Sequence, residues 1–525
     1  MIPSKPVRPQ SLRSRSSGLL LHPTSLPGPH GSGDLGREAY AFVDFLAQAE
    51  QSWWQMLPIA PPGYGESPYS AQSAFAGSPW LVSPDLLADE GLIDSATIAD
   101  HPEFTEDRVI FEPMAAHRER LLRLAYARFV TQQVNESALA EFRKREAAWL
   151  EDFTLFRALK RKHGGVAWTS WGPELRGRDP NALAKARVDL AADIAFEAFV
   201  QYVFDRQWRA LRGYARARGV ALVGDIPIFV AHDSADVWQN QSAFFLEENG
   251  EPTFVAGVPP DYFSVTGQRW GNPLYRWKRL KKSGFAWWIA RIRATLERFD
   301  ALRIDHFIGF QRYWRVPGAD ATAENGRWMK GPGADFFQAV QDQLGALPMI
   351  AEDLGAVTPA VLALRDRFGL PGIKILQFAF GTDPNADAFL PHNYPRNAVV
   401  YTGTHDNDTA VGWFGDHGDE HGARTPEQTE RERQALLRYL GSGTDEIHWR
   451  MIRSAMASIA NLSIFPVQDV LGLGSEARMN RPGEGTGNWS WRLRKGQLTS
   501  EQAERLASLT TTYERTRTRK PKADR

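Results

Sequence analysis

With 525 residues and 43% apolar content the chain can bury a large core, as two to four domains by the usual ~150 residues each, or as one barrel with insertions. Lysine plus arginine (62) equals aspartate plus glutamate (62), so no summed field gathers nucleic acid or an anionic membrane, and a neutral molecule or polymer is the easier partner. Cysteine is absent, which excludes disulfides, thiolate metal sites and cysteine nucleophiles and suits a reducing, cytoplasmic compartment.

Met1 to Ser17 is polar, proline-bearing and basic, with no apolar core of signal-peptide length. No later stretch reaches the ~18 apolar residues of a membrane span. The expected organisation is a disordered arm over residues 1–17, a single catalytic unit over 18–510 and a basic, solvated tail over 511–525.

Gly18-Leu-Leu-Leu21 is a short apolar run that stops at His22-Pro-Thr-Ser-Leu-Pro-Gly28, where the prolines forbid helix. A helical pattern after Gly36 places Phe42, Val43, Leu46 and Ala49 on one face, and Ser52-Trp-Trp-Gln-Met-Leu-Pro58 reads as a second strand. Strand, loop, helix, strand is the repeating unit of a parallel α/β sheet. An insertion over about 61–185 follows, helical from about Ser83 onward, and then a long helix carries Phe196, Phe199, Val200, Val203, Phe204 and Leu211 at three- and four-residue steps. Gly219 is placed to stop that helix before Val220-Ala-Leu-Val-Gly-Asp225, the third strand.

Insertions at about 232–285 and 309–335 flank the next strand and are too long for plain connections of ~2 to 6 residues. The proline- and aromatic-rich Val258-Pro-Pro-Asp-Tyr-Phe-Ser264 suggests an ordered lid or wall. The remaining strands are Ala301-Leu-Arg-Ile-Asp-His306, Pro348-Met-Ile-Ala-Glu-Asp-Leu354, Gly372-Ile-Lys-Ile-Leu-Gln-Phe378, Val399-Val-Tyr-Thr-Gly-Thr-His-Asp406 and Leu462-Ser-Ile-Phe-Pro-Val-Gln-Asp469.

Eight strands alternating with helices suit either a closed (β/α)8 TIM barrel or an open doubly wound sheet. Almost every run ends in a polar group: His22, Asp225, Asp305, Glu352, Gln377, His405 with Asp406, and Asp469. In a barrel all such ends meet at one mouth, whereas in an open sheet only those beside the switch point would meet. The barrel is therefore the expected fold, with mainly helical and loop insertions after strands two, three and four.

Arg303 and Asp305 lie two residues apart, on one face of a buried strand, with Leu302 and Ile304 on the other. A buried charged pair costs several kcal/mol in desolvation unless matched. It is either a structural ion pair or an arginine holding an aspartate ionised for attack. With Glu352 and Asp406 the same mouth would hold three carboxyl groups. Retaining glycoside chemistry uses one ionised and one protonated carboxyl, and a third can stabilise positive charge on the sugar ring. The competing reading is a metal site in His405-Asp406-Asn407-Asp408, but adjacent side chains on a strand end point apart and no His-x-His follows the first strand. Eighteen tryptophans, and loops bearing Tyr64, Tyr69, Tyr262 and Trp270, offer flat faces for sugar rings, although each aromatic taken singly fits a packing role as well.

These motifs together resemble the 4-α-glucanotransferases, or amylomaltases and disproportionating enzymes, of glycoside hydrolase family 77 in the α-amylase clan. The resemblance spans Gly18 to about Arg494 and rests on His22-Pro-Thr-Ser-Leu-Pro, Gly65-Glu-Ser-Pro-Tyr, Gly224-Asp-Ile-Pro-Ile-Phe-Val, Gly257-Val-Pro-Pro-Asp-Tyr-Phe, Gly267-Gln-Arg-Trp-Gly-Asn-Pro, Arg303-Ile-Asp-His-Phe, Ala351-Glu-Asp-Leu-Gly, Thr404-His-Asp-Asn-Asp-Thr and Ala477-Arg-Met-Asn-Arg-Pro-Gly. It implies Asp305 as nucleophile, Glu352 as acid/base and Asp406 as transition-state stabiliser. It further implies sugar contacts by Tyr69, Asp225, Trp270, Arg303, His405, Pro259, Tyr262 and Asn480, with the loop from Pro259 to Gly267 as a lid. The implied substrates are α-1,4-glucans, with no metal and no organic cofactor, in a cytoplasmic monomer or weak homo-oligomer.

The implied chemistry is double displacement, with cyclic glucans as a further possible product. Transfer exceeds hydrolysis only where the acceptor groove fills and excludes water. The carboxylates alone also fit an α-glucan hydrolase of the same clan, and a catalytically inactive glucan-binding barrel is the rival from another class.

Overall fold

The apolar runs form eight parallel strands: Ser16–Leu20, Trp53–Gln55, Ala221–Ile226, Ala301–Ile304, Met349–Ala351, Gly372–Ile375, Ala398–Tyr401 and Leu462–Pro466. They are seen in a computed structural model that describes residues 11–516 except 134, 261–263, 265, 382, 419–423 and 442. Each strand pairs with the next in chain order, and the first pairs with the last from Ser16 opposite Leu462 to Leu20 opposite Pro466. The sheet thus closes into a (β/α)8 TIM barrel. Its strands are buried, save the half-buried Lys374, because side chains fill the interior and helices cover the outside.

The helix Ala191–Ala217 shows how the sequence specifies this packing. Phe196, Phe199, Val200, Val203, Phe204 and Leu211 are buried, and Gly219, at φ 72°, turns the chain into the third strand. Helices Phe111–Gln132 and Glu136–Lys162 of the insertion after the second strand pack on it. Arg161 pins the last of these to it through Asp193 at 3.2 Å and Glu197 at 2.7 Å.

The insertions after the third and fourth strands add an element that the sequence reading does not contain. Strands Gln268–Pro273, Phe254–Val258, Arg312–Pro317 and Arg327–Lys330 pair antiparallel, in that order, as a four-stranded sheet beside the barrel. Gly257, Pro259, Gly267 and Gly271 interrupt the two-residue alternation, and the central pair joins two different insertions, so neither period nor proximity in sequence reveals it. A second apolar cluster, built on Phe380, Trp413, Leu436 and Met451, covers the connections after the sixth and seventh strands.

Both expected boundaries of the catalytic unit need correction. Ser16 and Ser17 belong to the first strand, and the last helix, Ser500–Thr512, runs past residue 510. The reason is a pair of arginines that hydrogen-bond backbone carbonyls instead of facing water. Arg15 donates to the carbonyls of Tyr513, Ser458 and Met456 at 2.7, 2.7 and 2.8 Å. Arg515 is fully buried and donates to those of Met456, Ser16, Asn461, Ser458 and Ala460 at 2.9 to 3.2 Å. The guanidiniums thus satisfy the C-terminal end of helix Ile447–Ala457 and tie residues 15 and 515 to the segment that leads into the last strand.

Arg515→Ala leaves those carbonyls unpaired and is expected to cost on the order of 3 kcal/mol, read as a lower unfolding midpoint in denaturant. An unchanged midpoint would show the clamp to be idle.

Candidate active site

Strand register brings the carboxyl groups to one level. Asp225 pairs with Arg303, and Ile226 and Ala351 flank Ile304, so Asp305 and Glu352 leave adjacent strands side by side. Arg303 projects inside the barrel with its side chain 4% exposed. Its Nη1 donates to Asp225 Oδ2 at 2.7 Å and to Asp305 Oδ1 at 3.0 Å, and its Nη2 lies 3.4 Å from Glu352 Oε2. Desolvating a guanidinium costs several kcal/mol, which these neighbouring carboxyl groups offset; a lysine has no fork to reach them all.

The carboxyl groups differ in environment. Asp305 and Asp406 are 26% and 41% exposed, whereas Glu352 is 15% exposed. Burial pushes Glu352 up to about 8; Arg303 pulls it down, Asp305 and Asp406 push it up, and the His306 N–H, donating to Oε2 at 2.5 Å, pulls it down. Asp225 is raised in the same way by burial, against Arg303 and a Tyr69 hydroxyl at 2.8 Å.

Tyr69 links this group to the turn after the seventh strand. Its one proton goes to Asp225, so at 2.9 Å from His405 Nε2 the hydroxyl accepts, which puts the His405 proton on Nε2. Burial lowers the His405 pKa, keeping the ring neutral, and Asp406 Oδ2 lies 3.4 Å from Nε2. Asn480 Nδ2 donates to Asp406 Oδ1 at 2.6 Å, and Arg478 Nη2 donates to the Asp406 carbonyl at 2.8 Å. Two other polar strand ends brace the turn: Gln377 donates to the Asp408 carbonyl at 2.8 Å, and Asp469 accepts from the Ala410 N–H at 2.7 Å and from the Thr402 hydroxyl.

Aromatic rings form the walls. Tyr69 stacks on His405 with centroids 5.2 Å apart, and Trp489 lies 5.7 Å from Tyr69. Trp270, 37% exposed on the side sheet, meets the His306 ring edge-on at 4.8 Å. Two cavities adjoin the cluster, one of about 430 Å³ reaching His22 and His405 and one of about 560 Å³ reaching Tyr69 and Asp225.

The structure therefore gathers Asp305, Glu352, Asp406, Tyr69, Asp225, Arg303, His405 and Asn480 into one group joined by hydrogen bonds and ion pairs, with Trp270 at its edge. Asn480, expected at sugar, is engaged with Asp406. Pro259 follows a side-sheet strand, close against Gly267, where an added Cβ would stand 2.9 Å from the Pro259 carbonyl carbon. Tyr262 lies outside the described residues. Sequence reasoning missed Arg478, Trp489 and the His306 N–H. Arg478 sits inside a quoted motif, but nothing marks Trp489, and a backbone donor leaves no trace in residue identity. Among the described residues no group of three or more histidine, aspartate or glutamate side chains is placed to hold a metal ion, and no helix is long and apolar enough to cross a membrane.

The 4-alpha-glucanotransferase family profile, glycoside hydrolase family 77, matches residues 21–499. The chain belongs to the 4-alpha-glucanotransferase family. The 4-alpha-glucanotransferase of Thermus thermophilus is 50% identical over 511 residues, covering 95% of this chain and 99% of its own. That of Synechocystis is 49% identical over 510 residues, covering 96% and 99%. The solved amylomaltase from Streptococcus agalactiae, in complex with acarbose, shares 38% identity and a TM-score of 0.91 over 96% of this chain and 100% of its own.

The raised Glu352 has a consequence for the stability of this family member. Between the ordinary 4.5 and about 8 the folded chain keeps a proton that the unfolded chain has lost, so stability contributed here falls as pH rises through that window. Glu352→Gln removes the dependence, and its unfolding midpoint should gain on the wild type as pH rises from about 5 to about 8. Parallel curves for the two proteins would overturn the raised carboxyl.

Proposed function

We propose that this 4-alpha-glucanotransferase moves α-1,4-glucan segments between maltodextrins by retaining double displacement, with Asp305 as nucleophile, Glu352 as acid/base and Asp406 as stabiliser of positive charge on the sugar ring. The observation that carries the assignment is the asymmetry across Arg303. Asp305 is the more exposed and accepts a direct guanidinium bond, whereas burial keeps Glu352 protonated near neutral pH.

In the first step Asp305 attacks the anomeric carbon as Glu352 gives its proton to the departing glucan oxygen. In the second, Glu352 takes the proton of an incoming 4-hydroxyl, which bonds to the anomeric carbon and releases Asp305. Asp406, held by Asn480, faces the ring while its bond to the leaving group lengthens. The hydroxyl of Tyr69, the His405 ring and Asp225 supply donors and acceptors for sugar hydroxyls, and the Tyr69 and Trp270 rings supply apolar walls that favour a glucan over water in the acceptor groove.

Transfer conserves the number of glycosidic bonds; hydrolysis does not. Maltotriose should therefore yield glucose together with chains longer than itself, without a matching rise in reducing ends. Rising reducing ends with no longer product would make the enzyme a hydrolase, and binding of maltotriose without turnover would make it a scaffold. Asp305→Asn should lower kcat by roughly 1,000-fold or more with the fold intact by circular dichroism. A variant that keeps wild-type turnover would remove Asp305 from the reaction.

A further inference from the structure

Glu352 is fastened to the turn that follows the fourth strand by its main chain as well as its side chain. Its N–H donates to the Ile304 carbonyl at 3.1 Å, its carbonyl accepts from the Phe307 N–H at 3.1 Å, and Oε2 accepts from the His306 N–H between them at 2.5 Å. The turn that carries this N–H has an unusual backbone. His306 has φ 50°, in the left-handed region, which glycine and asparagine enter readily and β-branched residues hardly at all. Its carbonyl accepts from the Gly309 N–H at 2.9 Å, and its ring lies against the edge of Trp270 at 4.8 Å. The side sheet thus presses on the turn from outside while Glu352 closes it from within. Strain of this kind beside reacting groups asks for a use.

We propose that the left-handed His306 peptide is a positioning group that decides which oxygen of Glu352 exchanges the catalytic proton. Oε2 accepts the His306 N–H and faces Arg303 Nη2 at 3.4 Å, so donors already occupy it. Oε1 is left to carry the proton. In the first step the Oε1–H bond breaks as its proton passes to the glycosidic oxygen, whose bond to the anomeric carbon breaks while the Asp305 oxygen bonds to that carbon. In the second step Oε1 receives the proton of the acceptor hydroxyl. The turn thereby orients the carboxyl and, because an N–H favours the charged form, keeps it from becoming too weak an acid. This inference rests on the acid/base role given above to Glu352.

The groups facing Glu352 are Arg303 and Asp305 from the fourth strand and Asp406 from the turn after the seventh. The His306 imidazole, pushed down to about 4 by burial, carries no charge in the working range.

The test is a series at one position, reading kcat/KM on maltotriose against pH. His306→Gly and His306→Asn keep access to the left-handed backbone without the ring, so their alkaline limb should coincide with that of the wild type, and any contribution of the ring appears in KM. His306→Val withdraws the N–H, and its alkaline limb should move up by about one pH unit with kcat down roughly tenfold. If His306→Val fails to fold, His306→Ala replaces it, with a shift in the same direction. A wild-type limb in the Val or Ala variant overturns the proposal, as does a Gly variant displaced as far as Val. Glu352→Gln separates the two readings: wild-type activity there removes the acid/base role itself. Loss of activity there beside an unmoved limb in the Val or Ala variant removes only the role of His306.

Discussion

One guanidinium inside the barrel holds the arrangement together. Arg303 reaches Asp225 on one neighbouring strand, Asp305 beyond its own strand and Glu352 beyond the next, so it meets carboxyl groups on adjacent strands at once. Such a contact tolerates no slip in register, because a one-residue shift would turn the side chain to the helix-facing side. The closed sheet supplies that fixed register, and Arg15 and Arg515 clamp the start of the first strand and the segment before the last at the opposite end of the barrel.

More carboxyl groups than cations meet here, and the imbalance separates their roles. Glu352 is the most enclosed of the three proposed catalytic groups and is raised by its burial, while Asp305 and Asp406 stay open to solvent. The arrangement costs folding free energy at neutral pH, since a raised carboxyl favours the unfolded chain there. A site that stores unfavourable electrostatics needs a stiff surround. The bracing of the turn after the seventh strand by Gln377, Asp469, Arg478 and Asn480 provides it.

The side sheet reaches the same group. Trp270 stands on it and touches His306, whose peptide holds Glu352. Its strands come from the insertions on either side of the fourth strand, so the sheet forms only around that strand's end. Side sheet, turn and Glu352 are therefore joined by direct contacts.

The sequence alone determined the eight strands, their parallel order, the inward Arg303 and the carboxyl groups at the strand ends, because short apolar runs that end in polar groups are local patterns and strand ends of a barrel must converge. It also carried the family, through motifs long enough to exclude chance. It could not separate the strand-end groups gathered around Arg303 from Gln377 and Asp469, which brace a loop, since both kinds are polar residues in the same sequence position. The antiparallel sheet, the inward turn of Arg515, the engagement of Asn480 with Asp406 and the N–H of His306 were decided only in three dimensions. Each depends on a partner supplied by a distant part of the chain, and a hydrogen bond to backbone reads the partner's position and not its identity.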